Sequence, residues 1–181
     1  MANEKRDRVS IFIDGNNLYH SLKRINVSDI SFQSLVNELT KGRILVNVFY
    51  YIAPLDIKYN EEKYWKHQKF MDSLKEIPRF NVVLCTLRRY KKENKSIGFE
   101  VKGDDVYLAN DLLVGAYENL YDTAILVSGD EDFIPVVKTA QRLKKMVENL
   151  YFSSSSSKKL RKTCDSSINF RSIIDKIIAI K

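Results

Sequence analysis

Apolar residues come in two rhythms along the chain, and their alternation predicts the order of elements. Short runs rich in β-branched residues, Val9 to Ile13, Ile44 to Ile52, Thr123 to Val127 and Met146 to Phe152, read as strands, several of them apolar on both faces. Between them apolar residues recur every three or four positions. Leu18, Leu22 and Ile25 predict one helix, and Phe32, Leu35, Val36 and Leu39 a second one closed by Gly42. Tyr64, His67, Phe70, Met71 and Leu74 predict a helix over 59–77 that stops before Pro78. Phe80 to Leu87 and Ile97 to Val101 read as the strands of a hairpin around the polar loop 91–96. Further helices are expected over 104–120 and 133–143, around Leu160 after a flexible serine run at 153–157, and over 172–180. Strands exchanging with helices predict an α/β fold whose mostly parallel central sheet is covered on both faces. No segment reads as a dividing linker, so one domain is expected over 1–181, with its core at about 9–170.

Composition narrows the class. With 44% apolar and 29% charged residues the chain has the make-up of an ordinary soluble domain. No apolar run approaches the roughly 18 residues that span a bilayer, and the charged stretch Met1 to Arg8 is not followed by the apolar h-region of a signal peptide, so a cytoplasmic protein without a membrane partner is expected. Cys85 and Cys164 stand in unrelated contexts and only two histidines exist, which leaves oxygen as the ligand for any metal. His20 and His67 fall in helical stretches and read as packed or exposed rather than catalytic. Neither GxxxxGK[ST] nor GxGxxG occurs, which removes the P-loop and the dinucleotide fingerprint.

The net charge of +7 hides a strong segregation. Residues 41–95 hold 13 basic and 6 acidic side chains and residues 138–162 hold 8 and 1, whereas residues 100–132 hold 1 and 9. A basic chain therefore concentrates its acid in one place. In parallel sheets the ligand site lies beyond the carboxyl ends of the strands, and that rule selects the same acids. Asp14, Asn16 and Asn17 follow the first strand, Ser128, Asp130, Glu131 and Asp132 follow the strand ending at Val127, and Lys102, Asp104 and Asp105 precede a helix. Within that helix Asp105 shares a stripe with Leu108, Ala109, Leu112 and Ala116, which points it inward and leaves Asp104, about 100° around, to approach from the side. Aspartates at helix starts also serve as caps. Several converging carboxylates without cations of their own would raise one another's pKa values, however, and a bound divalent cation is the simplest remedy. An oxygen-only site suits Mg²⁺ or Mn²⁺, which support phosphodiester hydrolysis. The flanking basic blocks would then hold the rest of a polyanion, with Arg88, Arg89, Lys91 and Lys92 beside the hairpin loop reaching for phosphates.

Three motifs in order, IFIDGNNLY at 11–19, KGDDVYLANDL at 102–112 and VSGDEDF at 127–133, resemble the NYN domain in the LabA-like (DUF88) branch of the PIN-like nuclease superfamily. The resemblance implies a Rossmann-like three-layer α/β/α sandwich and a metal-dependent ribonuclease site, and single-stranded RNA is the expected substrate. It assigns Asp14, Asp105, Asp130 and Asp132 as metal and catalytic carboxylates and Asn17 as the residue that positions water or substrate. The chain departs from the family pattern at Asp104, where an apolar residue is usual, and at Glu131, where a small one is common, so each is an extra acid available to the metal shell. Asn16, Asn17, Ser128 and Lys102 join Arg88, Arg89, Lys91 and Lys92 as candidate substrate contacts, and a homodimer is left open. The rival readings are a nucleic-acid-binding module of the same fold without turnover, and a small-molecule phosphohydrolase.

Overall fold

A strand that is apolar on both faces can only sit in the middle of a sheet with layers on either side. The first strand, β1 (Arg8–Asp14), does so: Val9, Ile11 and Ile13 enter one apolar layer and Phe12 the other. The computed structural model describes residues 6–58, 60–91 and 97–178. After β1 come α1 (Gly15–Arg24), α2 (Phe32–Thr40), β2 (Ile44–Ile52), α3 (Glu61–Lys75), β3 (Phe80–Leu84), β4 (Thr86–Lys91) and β5 (Ile97–Lys102). They are followed by α4 (Asp104–Tyr117), β6 (Thr123–Val127), α5 (Ile134–Arg142), β7 (Met146–Tyr151), α6 (Lys158–Thr163), β8 (Ser166–Asn169) and α7 (Ile174–Ile177). Short 3₁₀ turns at Glu131–Phe133 and Phe170–Ser172 lead into α5 and α7.

Six strands form one sheet in the order β3-β2-β1-β6-β7-β8, and every pairing in it is parallel. The fold is thus an α/β sandwich. Residues of α1, α2 and α7 cover one face with Leu18, Leu35, Leu39 and Ile177, and residues of α4, α5 and α6 cover the other with Leu108, Leu112, Val137 and Leu160. From β1 the chain builds outward through β2 and β3, then returns to lay β6 on the other side of β1. That reversal leaves a crevice beyond the carboxyl ends of β1 and β6.

Several expectations need correction. The apolar run 80–87 is two strands: β3 ends at Leu84, the chain turns at the buried Cys85, and β4 pairs with β5 in a separate antiparallel ribbon. Arg88 and Arg89 accordingly stand on β4, Arg88 opposite Glu100, and not in the loop. β8 went unforeseen because Ser-Ser-Ile-Asn has no apolar run; an edge strand bound through its backbone does not need one. The helix expected over 172–180 is the single turn of α7, since Ile178 leaves it to bridge Ile30. The serine run is a bonded turn: the Ser155 N–H donates to the Phe152 carbonyl and the Ser157 N–H to the Gly129 carbonyl. Among the described residues no helix is long and apolar enough to cross a membrane.

Phe12 is 1% exposed, stacked on Phe49 at 5.5 Å and edge-on to Tyr121 at 5.7 Å. Phe12→Ala should lower stability by about 3–5 kcal/mol in urea unfolding, whereas Tyr117→Ala, at a side chain that is 82% exposed, should change it by less than about 0.5 kcal/mol.

Candidate active site

Asp14 is both the last residue of β1 and the cap of α1, and these two duties fix its carboxylate. Its Oδ1 accepts the Asn17 N–H at 2.8 Å, and its Oδ2 accepts the Ser128 hydroxyl at 3.0 Å. The carbonyl oxygen of the Asn17 side chain accepts the Gly129 N–H at 3.1 Å, and Ser128 Oγ accepts the Asp130 N–H at 3.2 Å. Ends of neighbouring strands are thereby tied together by side chains where the ladder stops. Gly15 is required at the start of α1 because a Cβ there would fall 2.5 Å from the Tyr51 carbonyl oxygen. Gly129 is required likewise, since its Cβ would fall 2.5 Å from the Ser155 carbonyl oxygen.

Beyond these strand ends opens a cleft of about 500 Å³. Asp14, Asp104, Asp105, Asp130 and Glu100 contribute carboxylates to its wall, and Asn16, Asn17, His20, Ser21, Arg24 and Ser155 contribute the remaining polar groups. Gly103, in the left-handed region at φ 87°, turns the chain from β5 into α4 and presents Asp104 and Asp105 there. Asp104 is the buried member of that pair, because the packed stripe of α4 runs through Asp104, Leu108 and Leu112 at four-residue spacing; Asp105 falls to the exposed flank. The inward and sideways positions expected for the two are therefore exchanged, although both reach the cleft.

The carboxylates feel one another. Burial is the main reason that the Asp14 carboxyl is pushed up to about 6; its hydrogen bonds from Asn17 and Ser128 oppose this, and the charges of Asp104 and Asp105 add to it. Asp105 is exposed as a residue, yet its carboxyl is also raised, first by partial desolvation and then by Asp104, Asp130 and Asp132. Beneath the cleft, burial and then the charge of Asp104 push the Cys85 thiol up to about 11, with Asp14 and Asp105 contributing. Among the described residues no three His, Cys, Asp or Glu side chains are already drawn together around one point. The donor set nevertheless suits a hard cation: oxygen groups from three chain segments, one of them buried and held above its ordinary pKa.

The other expected residues occupy varied places. Asn16 and Asn17 line the cleft, and Asn17 Nδ2 has no hydrogen-bond partner among the described residues. Ser128 is buried and outside the lining, its hydroxyl donating to Asp14 Oδ2 and accepting the Asp130 N–H. Asp132 is exposed and outside the lining, its N–H held by Asp130 Oδ1 at 3.0 Å, and its charge adds to the raising of the Asp105 carboxyl. Glu131 turns away to accept the Ser157 hydroxyl at 3.0 Å. Lys102 lies outside the lining, paired with Glu100 at 2.9 Å, and Arg88 and Arg89 are exposed on β4. Lys92 and the side chain of Lys91 lie outside the described residues. Sequence reasoning missed His20, Ser21, Arg24, Glu100 and Ser155 as cleft residues. The spacing Asn16, His20, Arg24 was the available signal, a polar stripe continuing from the acidic turn along one face of α1.

Because folding raises the Asp14 pKa, the folded state holds the proton more tightly than the unfolded chain does. Its contribution to stability is full below about pH 4 and is lost as pH rises through about 6. Asparagine keeps the cap through its one carbonyl oxygen and meets Ser128 Oγ with an amide N–H where the carboxylate accepted, so the site loses the charge and one acceptor. In metal-free buffer Asp14→Asn should therefore be more stable than wild type at pH 8, by about 2–3 kcal/mol, with the advantage vanishing toward pH 4 in urea titrations across that range.

A crystal structure of a protein of unknown function from Vibrio parahaemolyticus shares this fold, with a TM-score of 0.73 and 23% identity over 93% of this chain and 96% of that one. No curated protein matches the chain. The profile of the NYN domain matches residues 8–174, the stretch that contains the whole six-stranded sheet and every carboxylate of the cleft. The chain belongs to the NYN domain family, within the PIN-like nuclease superfamily.

Proposed function

We propose that this protein is an Mg²⁺- or Mn²⁺-dependent ribonuclease that hydrolyses phosphodiester bonds in single-stranded RNA, and that it is one domain of the LabA-like branch. The observation that carries this reading is the convergence of Asp14, Asp104, Asp105 and Asp130 on one cleft at the crossover between β1 and β6. Those four residues would hold the ion, with Asp132 tuning the field from outside. An ion held by these residues would supply positive charge against the scissile phosphate and would lower the pKa of a water at neutral pH.

The chain's own groups do the rest. Asn17 and Ser128 each direct a hydrogen bond at Asp14, so its carboxylate keeps one orientation without an ion to hold it. The free amide of Asn17 donates to a phosphate oxygen or to the attacking water. Asp130, whose N–H is held by Ser128 Oγ, has a fixed backbone, and its Oδ1 in turn braces the following turn. A negative cleft on a chain of net charge +7 also favours a substrate that is anchored by cations outside the reaction centre.

Labelled single-stranded RNA should be degraded in Mg²⁺ or Mn²⁺ and spared in EDTA, and Asp14→Asn and Asp130→Asn should each remove that activity. The same ions should raise the melting temperature of wild type and not of Asp14→Asn. Asp104→Asn should cost more cleavage than Asp132→Ala. RNA binding without turnover in any metal would return the inactive-module reading, and cleavage of a nucleoside monophosphate with RNA spared would return the phosphohydrolase.

A further inference from the structure

The cleft has two unlike walls. One, from β5 and the start of α4, carries Glu100, Asp104 and Asp105; the other is a face of α1 that presents Asn16, His20 and Arg24 at four-residue spacing. Arg24 is the only Lys or Arg among the described residues that line the cleft, and it forms no hydrogen bond or ion pair with any of them. A guanidinium left unpaired beside so many carboxylates is available for an anion that comes from outside. Next to His20 and just outside the cleft lining, Tyr19 is 59% exposed and stands edge-on to His20, with ring centroids 5.3 Å apart. The wall is firmly seated, because Ser21 Oγ and Ser155 Oγ share a hydrogen bond at 2.7 Å and Asn17 binds the Gly129 N–H.

We infer that this face of α1 is the track on which a single-stranded nucleic acid is bound and registered: Arg24 grips a backbone phosphate, and Tyr19 with His20 offers a stacking surface to an unpaired base. The inference rests on the nuclease reading and adds to it a substrate-binding element apart from the carboxylates. Eight residues of helix separate Asn16 from Arg24, about 12 Å along the axis, so the gripped phosphate lies a short oligonucleotide's length from the one presented to Asp14. Arg24 therefore sets which phosphate reaches the acids. A duplex, whose bases are already stacked, gains nothing from Tyr19. The bland reading of Arg24 is a cation at a helix C-terminus that favours the dipole, and a lysine would serve that purpose equally well.

The test is binding of a fluorescein-labelled single-stranded RNA dodecamer to the full chain without metal, over a series of salt concentrations. Arg24→Ala should weaken binding about tenfold at low salt and flatten the slope of log affinity against log salt by about 0.7, as expected for the loss of one phosphate contact on a single strand. Arg24→Lys should keep the slope. Tyr19→Ala should weaken single-strand binding about fivefold with the slope unchanged, and should leave duplex binding as it was. Wild-type affinity and slope in both alanine variants, while wild type binds and cleaves RNA, would overturn the track and leave the nuclease intact. Equal losses on duplex and single strand would overturn the stacking role. A wild type that neither binds nor cleaves RNA removes the nuclease reading and this inference with it.

Discussion

Burying Asp14 at the end of the central strand is the constraint around which the rest of the site is arranged. A carboxylate with so little contact with water needs hydrogen bonds, and the chain provides them from two directions, the Asn17 N–H on its own helix and the Ser128 hydroxyl across the sheet. Those bonds require the first turn of α1 to begin immediately after β1 and the loop after β6 to lie against it. Gly15 and Gly129 permit this, because at each position a Cβ would collide with a carbonyl oxygen. Even so, Asp14 remains above its ordinary pKa. The site thus holds electrostatic stress in the folded protein, and positive charge relieves it.

Strand order turns this local tension into a functional arrangement. Because β6 returns to lie beside β1, two turns distant in sequence open side by side, and α4, reached through the left-handed Gly103, brings its acids over the same opening. Hydrogen bonds then continue the connection beyond the sheet, from Asn17 to Gly129 and from Gly129 to Ser157. The carboxylates consequently ride on the ends of packed elements.

Much of this was legible in the chain itself. The limits of β2 and β6 match their sequence runs residue for residue; β6 is buried along its whole length, and β2 shows the same run although Asn47 interrupts it. Asp104, Asp105 and Asp130 were legible within the one negative segment of a basic chain, and Asp14 by its place at the end of the first strand, whereas Glu100 of the same segment was not singled out. Cys85 was not legible as a break, because a small buried thiol reads as a continuation of the strand on either side of it. Nor was the order of Asp104 and Asp105 on α4: the stripe of Leu108, Ala109, Leu112 and Ala116 suggested Asp105 as its inward start, but packing followed the four-residue steps from Asp104. The α1 wall stayed hidden for a different reason. Asn16, His20 and Arg24 look like any solvated helix face until the fold sets them opposite the acids.

The ribbon of β4 and β5 leaves the sheet at Cys85 and rejoins the fold at Gly103, and among the described residues its two strands pair only with each other. None of the parallel register passes through it. The ribbon can therefore lengthen, shorten or change its charge without disturbing the strand ends that hold the carboxylates, except at its root, where Glu100 and Val101 meet the cleft. An architecture of this kind lets the ribbon drift while the strand ends that carry the acids stay put.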